Sequence, residues 1–135
     1  MELEAELQGV INFLSYFGAG IALTVLFLLI YTAITPQKEF TLIREGNTAA
    51  ACSLGGALIG FMLPLCSAII HSVNFVDMVI WGGVALVVQL IVFFILRIIF
   101  RGLPAGIEKG IVSEGILLGV FSLAAGILNA ACMTY

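Results

Sequence analysis

Gln89, Pro64 and Asn129 are the residues of this chain whose type and placement could support chemistry. Each interrupts a long apolar run, and a polar group at membrane depth is costly enough to mark a candidate site. Gln89 could contact a ligand or an ion. Pro64 has no amide hydrogen, so the carbonyl four residues earlier, on Gly60, loses its helical partner and could line an ion path. Asn129 could hydrogen-bond such a freed carbonyl. Each also has a plainer reading, and the sequence favours it. Gln89 and Asn129 read as interhelical hydrogen bonds, worth only about 1 kcal/mol each. Pro64 reads as a kink that shapes packing.

Nothing else in the chain assembles a reaction. There is one histidine, His71, and no nucleophile accompanied by both a base and an orienting group. P-loop, dinucleotide and zinc signatures are absent. Cys52, Cys66 and Cys132 fall inside apolar runs without CxxC or Cys/His spacing, so they read as small apolar side chains in packed helices. The expectation is a protein that is not an enzyme, with no cofactor, no metal and no nucleic-acid partner.

The elements that position these residues follow from composition. Of 135 residues 62% are hydrophobic and 10% charged, with a mean hydropathy of +1.24. A soluble domain carries about a quarter charged residues, so lipid must be the solvent here. A spanning helix needs about 20 apolar residues. The runs at 10–34, 48–70, 76–100 and 113–134 meet that length, which predicts an all-α membrane protein with four transmembrane helices in a single domain over 1–135. Leu3, Leu7 and Ile11, spaced by four among glutamates, extend the first helix toward the interface. The acidic start is unlike a signal peptide, whose first region is positive.

The basic residues set the orientation. Lys38 and Arg44 lie between the first two runs, and Arg97, Arg101 and Lys109 between the last two. Lys and Arg are retained on the cytoplasmic side, so both termini are predicted outside. Glu2, Glu4, Glu6 and Asp77 fall on that outer side. Arg97 can snorkel to headgroups, and Tyr16, Trp81 and Tyr135 suit an outer aromatic belt.

The loops carry capping signals. Thr35 reads as an N-cap and Pro36 as the first residue of a short amphipathic cytoplasmic helix over 36–45, in which Phe40, Leu42 and Ile43 alternate with charged residues. Gly46 can take the left-handed conformation that ends it, and Asn47 caps the second span. The later loop is a looser copy: Pro104 starts it, Gly110 stops it, Ser113 caps the last span, and Glu114 suits that helix's first turn. In the tight outer hairpin Ser72, Asn74 and Asp77 are all possible caps.

The two halves, 9–71 and 74–135, repeat. In the second helix Ala49, Ser53, Gly56, Gly60, Pro64 and Ser67 step by four, three, four, four and three. Gly115, Gly119, Ser122, Gly126, Ala130 and Met133 step identically in the fourth, at a constant offset (115 minus 49 is 66). Such stepping keeps small residues on one face, where a second backbone can approach closely. Ser53, Gly56, Gly60, Gly115, Gly119, Ser122 and Gly126 are therefore predicted as a packing or oligomer face, toward each other or a neighbouring protomer. Both hairpins run in the same direction, so the repeat is parallel.

The run ITPQKEFTLIREGNTAAACSLGGALIGFMLPLCSAI, with WGGVALVVQL and the ending GILNAACMTY, resembles a bacterial inner-membrane family, domain of unknown function 350 (UPF0719). The likeness covers essentially the whole chain and is most specific at Asn47 to Ala50 and Asn129 to Cys132. It implies the tandem-hairpin fold and the inner membrane, and brings no established activity. In some members the Asn-Thr-Ala-Ala stretch recurs in the second half, where this chain has Ser113, Glu114 and Gly115. Two functions are thus expected: a subunit that oligomerises through its glycine faces and docks a cytoplasmic partner, or an oligomeric channel or small-solute transporter with a path near Gln89, Pro64 and Asn129.

Overall fold

In hydrocarbon a backbone must satisfy its own N–H and C=O groups, so each apolar run becomes a helix. A computed structural model describes residues 1–35 and 38–133. It contains, in order, α1 (Glu2–Ile34), α2 (Glu39–Arg44), α3 (Thr48–His71), α4 (Phe75–Ile99), α5 (Leu103–Glu108) and α6 (Val112–Cys132). Four of these, α1, α3, α4 and α6, are long and apolar enough to cross a membrane. α1 has 33 residues. At about 1.5 Å per residue it overreaches the hydrocarbon core, leaving its glutamates at the interface.

α3 is the centre of the bundle. Ala49, Ala50, Ser53, Phe61 and Ala68 on it are wholly buried, and it touches α1, α4 and α6, most extensively α6. Around α1 the contacts are aromatic. Phe27 stacks on Phe61 with centroids 4.6 Å apart, and Tyr31 meets Phe93 edge-on at 4.7 Å. Offset and edge-to-face aromatic pairs add about 0.5–1.5 kcal/mol beyond the area they bury.

On the α6 side the contact is backbone against backbone. The Ala49 carbonyl lies where a Gly115 side chain would begin, and the Gly60 carbonyl stands in the same relation to Gly126. Gly56 and Gly119 face each other so closely that a Cβ on Gly56 would overlap Gly119 Cα. α3 and α6 therefore run parallel, joined by contacts of the Cα–H···O kind, each worth about 0.5–1 kcal/mol. Partners at Ala49 and Gly115, and at Gly60 and Gly126, are 66 positions apart, the offset that aligns the two helices in sequence. The small-residue face is thus closed inside one chain. Of the two occupants expected for it, each other or a neighbouring protomer, the structure shows the first.

Three expectations about the ends are corrected. Thr35 is not an N-cap: it is the C-cap of α1, and its amide donates to the Tyr31 carbonyl at 3.0 Å. The short helix begins at Glu39 after Lys38, and Pro36 lies outside the described residues. Ser113 is not a cap either. α6 begins at Val112 with Ile111 before it, because the Glu114 amide already donates to the Ile111 carbonyl at 3.1 Å. Cys66 and Cys132 are exposed on the bundle surface rather than packed, and Cys52 is half-buried.

The glycine contacts generate a prediction with opposite signs. Gly126→Ala places a methyl group on the Gly60 carbonyl and lowers unfolding stability in detergent by roughly 1–3 kcal/mol. Gly55→Ala, at a helical position open for 4 Å around, leaves stability unchanged or raises it by up to about 1 kcal/mol through helix propensity. Thermal and SDS-titrated unfolding of both variants checks the contrast.

Candidate functional site

The polar groups inside the spans find backbone carbonyls, Ser15, Thr24 and Thr32 on their own helix and Gln89, Asn129 and Ser67 on a neighbouring one. Gln89 is 4% exposed, and its Nε2 donates to the Ser122 carbonyl at 3.4 Å. Its Oε1 is buried without a hydrogen-bond partner. Asn129 Nδ2 reaches the Ala85 carbonyl of α4 at 3.5 Å, and Ser67 Oγ reaches the Ala130 carbonyl at 3.3 Å. Pro64 is buried within a continuous α3. The Gly60 carbonyl that it deprives of an amide is the one facing Gly126, so the glycine approach covers it. Gln89 sits at the same junction, because a Cβ on Gly60 would lie 3.1 Å from Gln89 Nε2. Gln89 and the Pro64-freed Gly60 carbonyl thus lie at one buried junction, which Gly126 covers, while Asn129 bonds the Ala85 carbonyl one turn before Gln89 on α4.

A second concentration of polar groups lies at the α2/α5 end. Asn47 is the N-cap of α3, its Oδ1 accepting from the Ala50 amide at 3.0 Å. Its Nδ2 donates to the Ile107 carbonyl of α5 at 2.7 Å. One side chain thereby satisfies an orphan helix amide and ties α3 to α5. Gly46 and Gly110 follow the two short helices with φ of 88° and 78°, the left-handed turn that favours glycine. Arg97, half-buried, donates from Nη1 to the Ile34 carbonyl at 2.9 Å and so closes the end of α1. Lys38, Arg44, Arg101 and Lys109 are exposed. At the other end Asn74 is the cap of α4, accepting from the Asp77 amide at 2.8 Å, and Asp77 accepts from Val73 at 3.1 Å. Tyr135, expected in an outer aromatic belt, lies outside the described residues.

Sequence reasoning missed Glu39. The amphipathic pattern sends charged residues to solvent and Phe40 inward, but Glu39 is 1% exposed and Phe40 is 55% exposed. The Tyr31 hydroxyl faces Glu39 and Ser53. Tyr31 and Ser53, at 1% and 0% exposure, are as buried as Glu39. No sequence signal marks this cluster, because its members come from three helices. Glu114 Oε2 is likewise buried, against Gly106 of α5.

Four apolar spans joined by short capped turns define a multi-pass membrane protein. The family profile described as Domain of Unknown Function (DUF350) matches residues 5–133, and the chain belongs to that family. It is 43% identical over 129 residues to the "UPF0719 inner membrane protein YjfL" of Escherichia coli strain K12, covering 96% of this chain and 98% of that protein. The protein of the same name from Escherichia coli O157:H7 matches equally. The "UPF0719 transmembrane protein YshE" of Bacillus subtilis strain 168 is 30% identical over 81 residues, 60% of each chain. No solved structure matches. With these relatives and four spans, the chain is a multi-pass inner-membrane protein.

Asn47 makes two separable bonds, and substitution divides them. Asn47→Ala is expected to lower stability by about 2 kcal/mol, roughly 1 for the cap and 1 for the Ile107 bond. Asn47→Ser keeps a cap acceptor but not the reach to α5, and recovers about half of the loss. Equilibrium unfolding of the three proteins in detergent measures both shares.

Proposed function

We propose that this chain is a non-enzymatic inner-membrane subunit that docks a peripheral protein on its cytoplasmic α2/α5 face. In this reading the two hairpins, 9–71 and 74–135, are like-oriented tandem repeats. The Glu2 end of α1 and the Cys132 end of α6 lie outside. The observation that carries the reading is Asn47, whose side chain bonds the Ile107 carbonyl of α5 and whose amide bonds the Leu42 carbonyl of α2, so that both short helices are tied to the start of α3. A surface held that way presents Phe40, Arg44 and Lys109 to a partner with little ordering cost on binding. The positive charges gathered there support the orientation. Homo-oligomers, in this reading, form on α1, the least covered span (11% of its apolar window is buried), since the glycine faces are closed within the chain.

Two measurements test it. Cysteines placed at 38 or 101 in a cysteine-free background are protected from an impermeant maleimide in intact cells; labelling from outside contradicts the orientation. A stoichiometric partner co-purifies from membranes with the intact protein and is lost with Phe40→Ser at unchanged thermal stability. Recovery of no specific partner rejects docking.

One observation favours a second reading, an oligomeric channel or transporter for ions or small solutes. Gln89 Oε1 is buried without a hydrogen-bond partner at the α3–α4–α6 junction, and a polar atom so placed suits a transient ligand. Reconstituted liposomes would then show flux above empty vesicles that Gln89→Leu abolishes. Flux equal to empty vesicles for ions and small amines rejects this reading.

A further inference from the structure

We propose that the bundle binds one phospholipid with an amine-bearing headgroup, of the phosphatidylethanolamine class, at the end opposite α2 and α5. Two cavities meet there. One, of about 360 Å³, lies between Asn12, Ser15 and Tyr16 of α1 and Val73, Asn74 and Phe75 at the α3–α4 turn. The other, of about 350 Å³, is a groove between α1 and α3 whose lining includes Gly20, Ile21, Thr24, Met62, Cys66 and Ile69. Tyr16 lines both, so the cavities follow one another along α1. Its ring is held against Phe75, edge-on at 5.9 Å. The first cavity carries polar side chains and the second is apolar, the order of a lipid's own parts.

The depth fits that occupant. α1 ends at Ile34, whose carbonyl Arg97 bonds. The hydrocarbon core takes about 20 helical residues to cross, and counting back from Ile34 reaches the turn of Leu14. The polar cavity therefore lies at the interface, and the groove begins just inside it. From Tyr16 to Val25 the groove covers about 14 Å of α1 at the helical rise, close to one leaflet. At its far end Thr24 Oγ1, 3.5 Å from Met62 Sδ, bridges the two helices. A helix of a second copy would run the full thickness of the membrane, whereas an acyl chain enters from one side and stops within its leaflet. An unfilled groove forfeits dispersion contacts along its walls, and a seated chain restores them.

Hydrogen bonding and charge select the headgroup. Asn12 Oδ1 accepts from Gln8 Nε2 at 3.1 Å, and Asn74 Oδ1 accepts from the Asp77 amide at 2.8 Å. Those bonds use the acceptor of each side chain and leave its Nδ2 as a donor, which suits a phosphate oxygen. The Asp77 carboxylate accepts from the Val73 amide at 3.1 Å, so it stands at the rim of the polar cavity. Every Lys and Arg of the chain lies toward the α2/α5 end. This balance attracts an ammonium and disfavours a headgroup of net negative charge. In the orientation proposed above, the site opens to the outer leaflet, away from the partner face.

The test is native mass spectrometry of the full chain, delipidated in a mild non-ionic detergent and titrated with phosphatidylethanolamine or phosphatidylglycerol of the same acyl chains. The unaltered protein forms a one-to-one adduct with phosphatidylethanolamine, about fivefold tighter than with phosphatidylglycerol, the effect of one ammonium beside one carboxylate near water. Asn12→Leu removes a phosphate donor and weakens both lipids about fivefold. Cys66→Phe and Ile21→Phe, at exposed positions that line the groove, fill it and weaken the adduct about tenfold or more at an unchanged melting temperature. Four results overturn the proposal: no one-to-one adduct, equal or tighter binding of phosphatidylglycerol, an undiminished adduct in both groove-filling variants, or a homodimer of the delipidated protein that Cys66→Phe breaks, which would put a second copy in the groove.

Discussion

A carbonyl oxygen can occupy the place of a side chain only where the facing residue has none, and this bundle depends on that constraint. α3 and α6 meet through the carbonyls of Ala49 and Gly60 set against Gly115 and Gly126, with Gly56 and Gly119 in contact between them. In lipid no hydrophobic force drives helices together, so close packing and weak hydrogen bonds must supply the association. Each Cα–H···O contact is small, but several along one seam reach the scale at which a bundle is stable. The geometry is that of a parallel small-residue helix pair, made here by two segments of one chain.

The rest of the molecule is arranged around that seam. Pro64 would leave the Gly60 carbonyl exposed in hydrocarbon, and the approach of Gly126 covers it. Gln89 reaches the Ser122 carbonyl at the same level. Away from that seam, Phe27, Phe61, Tyr31 and Phe93 pack α1 against α3 and α4. The ends are closed by single side chains, Asn47 toward α5, Arg97 toward α1 and Asn74 at the α4 turn.

What could be read from the sequence was what repeats along one helix. The spans follow from apolar length, and the glycine stripe from its stepping. Asn47 and Gly46 are visible because cap and left-handed turn have local signatures. Thr35 and Ser113 carry the same signatures and do otherwise: the α1 ladder continues to Thr35, and a local bond from Glu114 to Ile111 starts α6 early. Glu39 was hidden for a different reason. On six residues the direction of a side chain is set by how α2 docks on α1 and α3, which no periodicity encodes. Nor does a stripe of small residues say whether its partner is the same chain or another one.

That last distinction is open to direct measurement. Solid-state NMR of protein in lipid, with ¹³C at glycine Cα and carbonyl positions, reports Gly60 C′ to Gly126 Cα proximity as a cross-peak. The closed seam predicts a cross-peak whose relative intensity persists when labelled protein is diluted into an excess of unlabelled protein before reconstitution. A cross-peak that vanishes on dilution, or is never present, would contradict it.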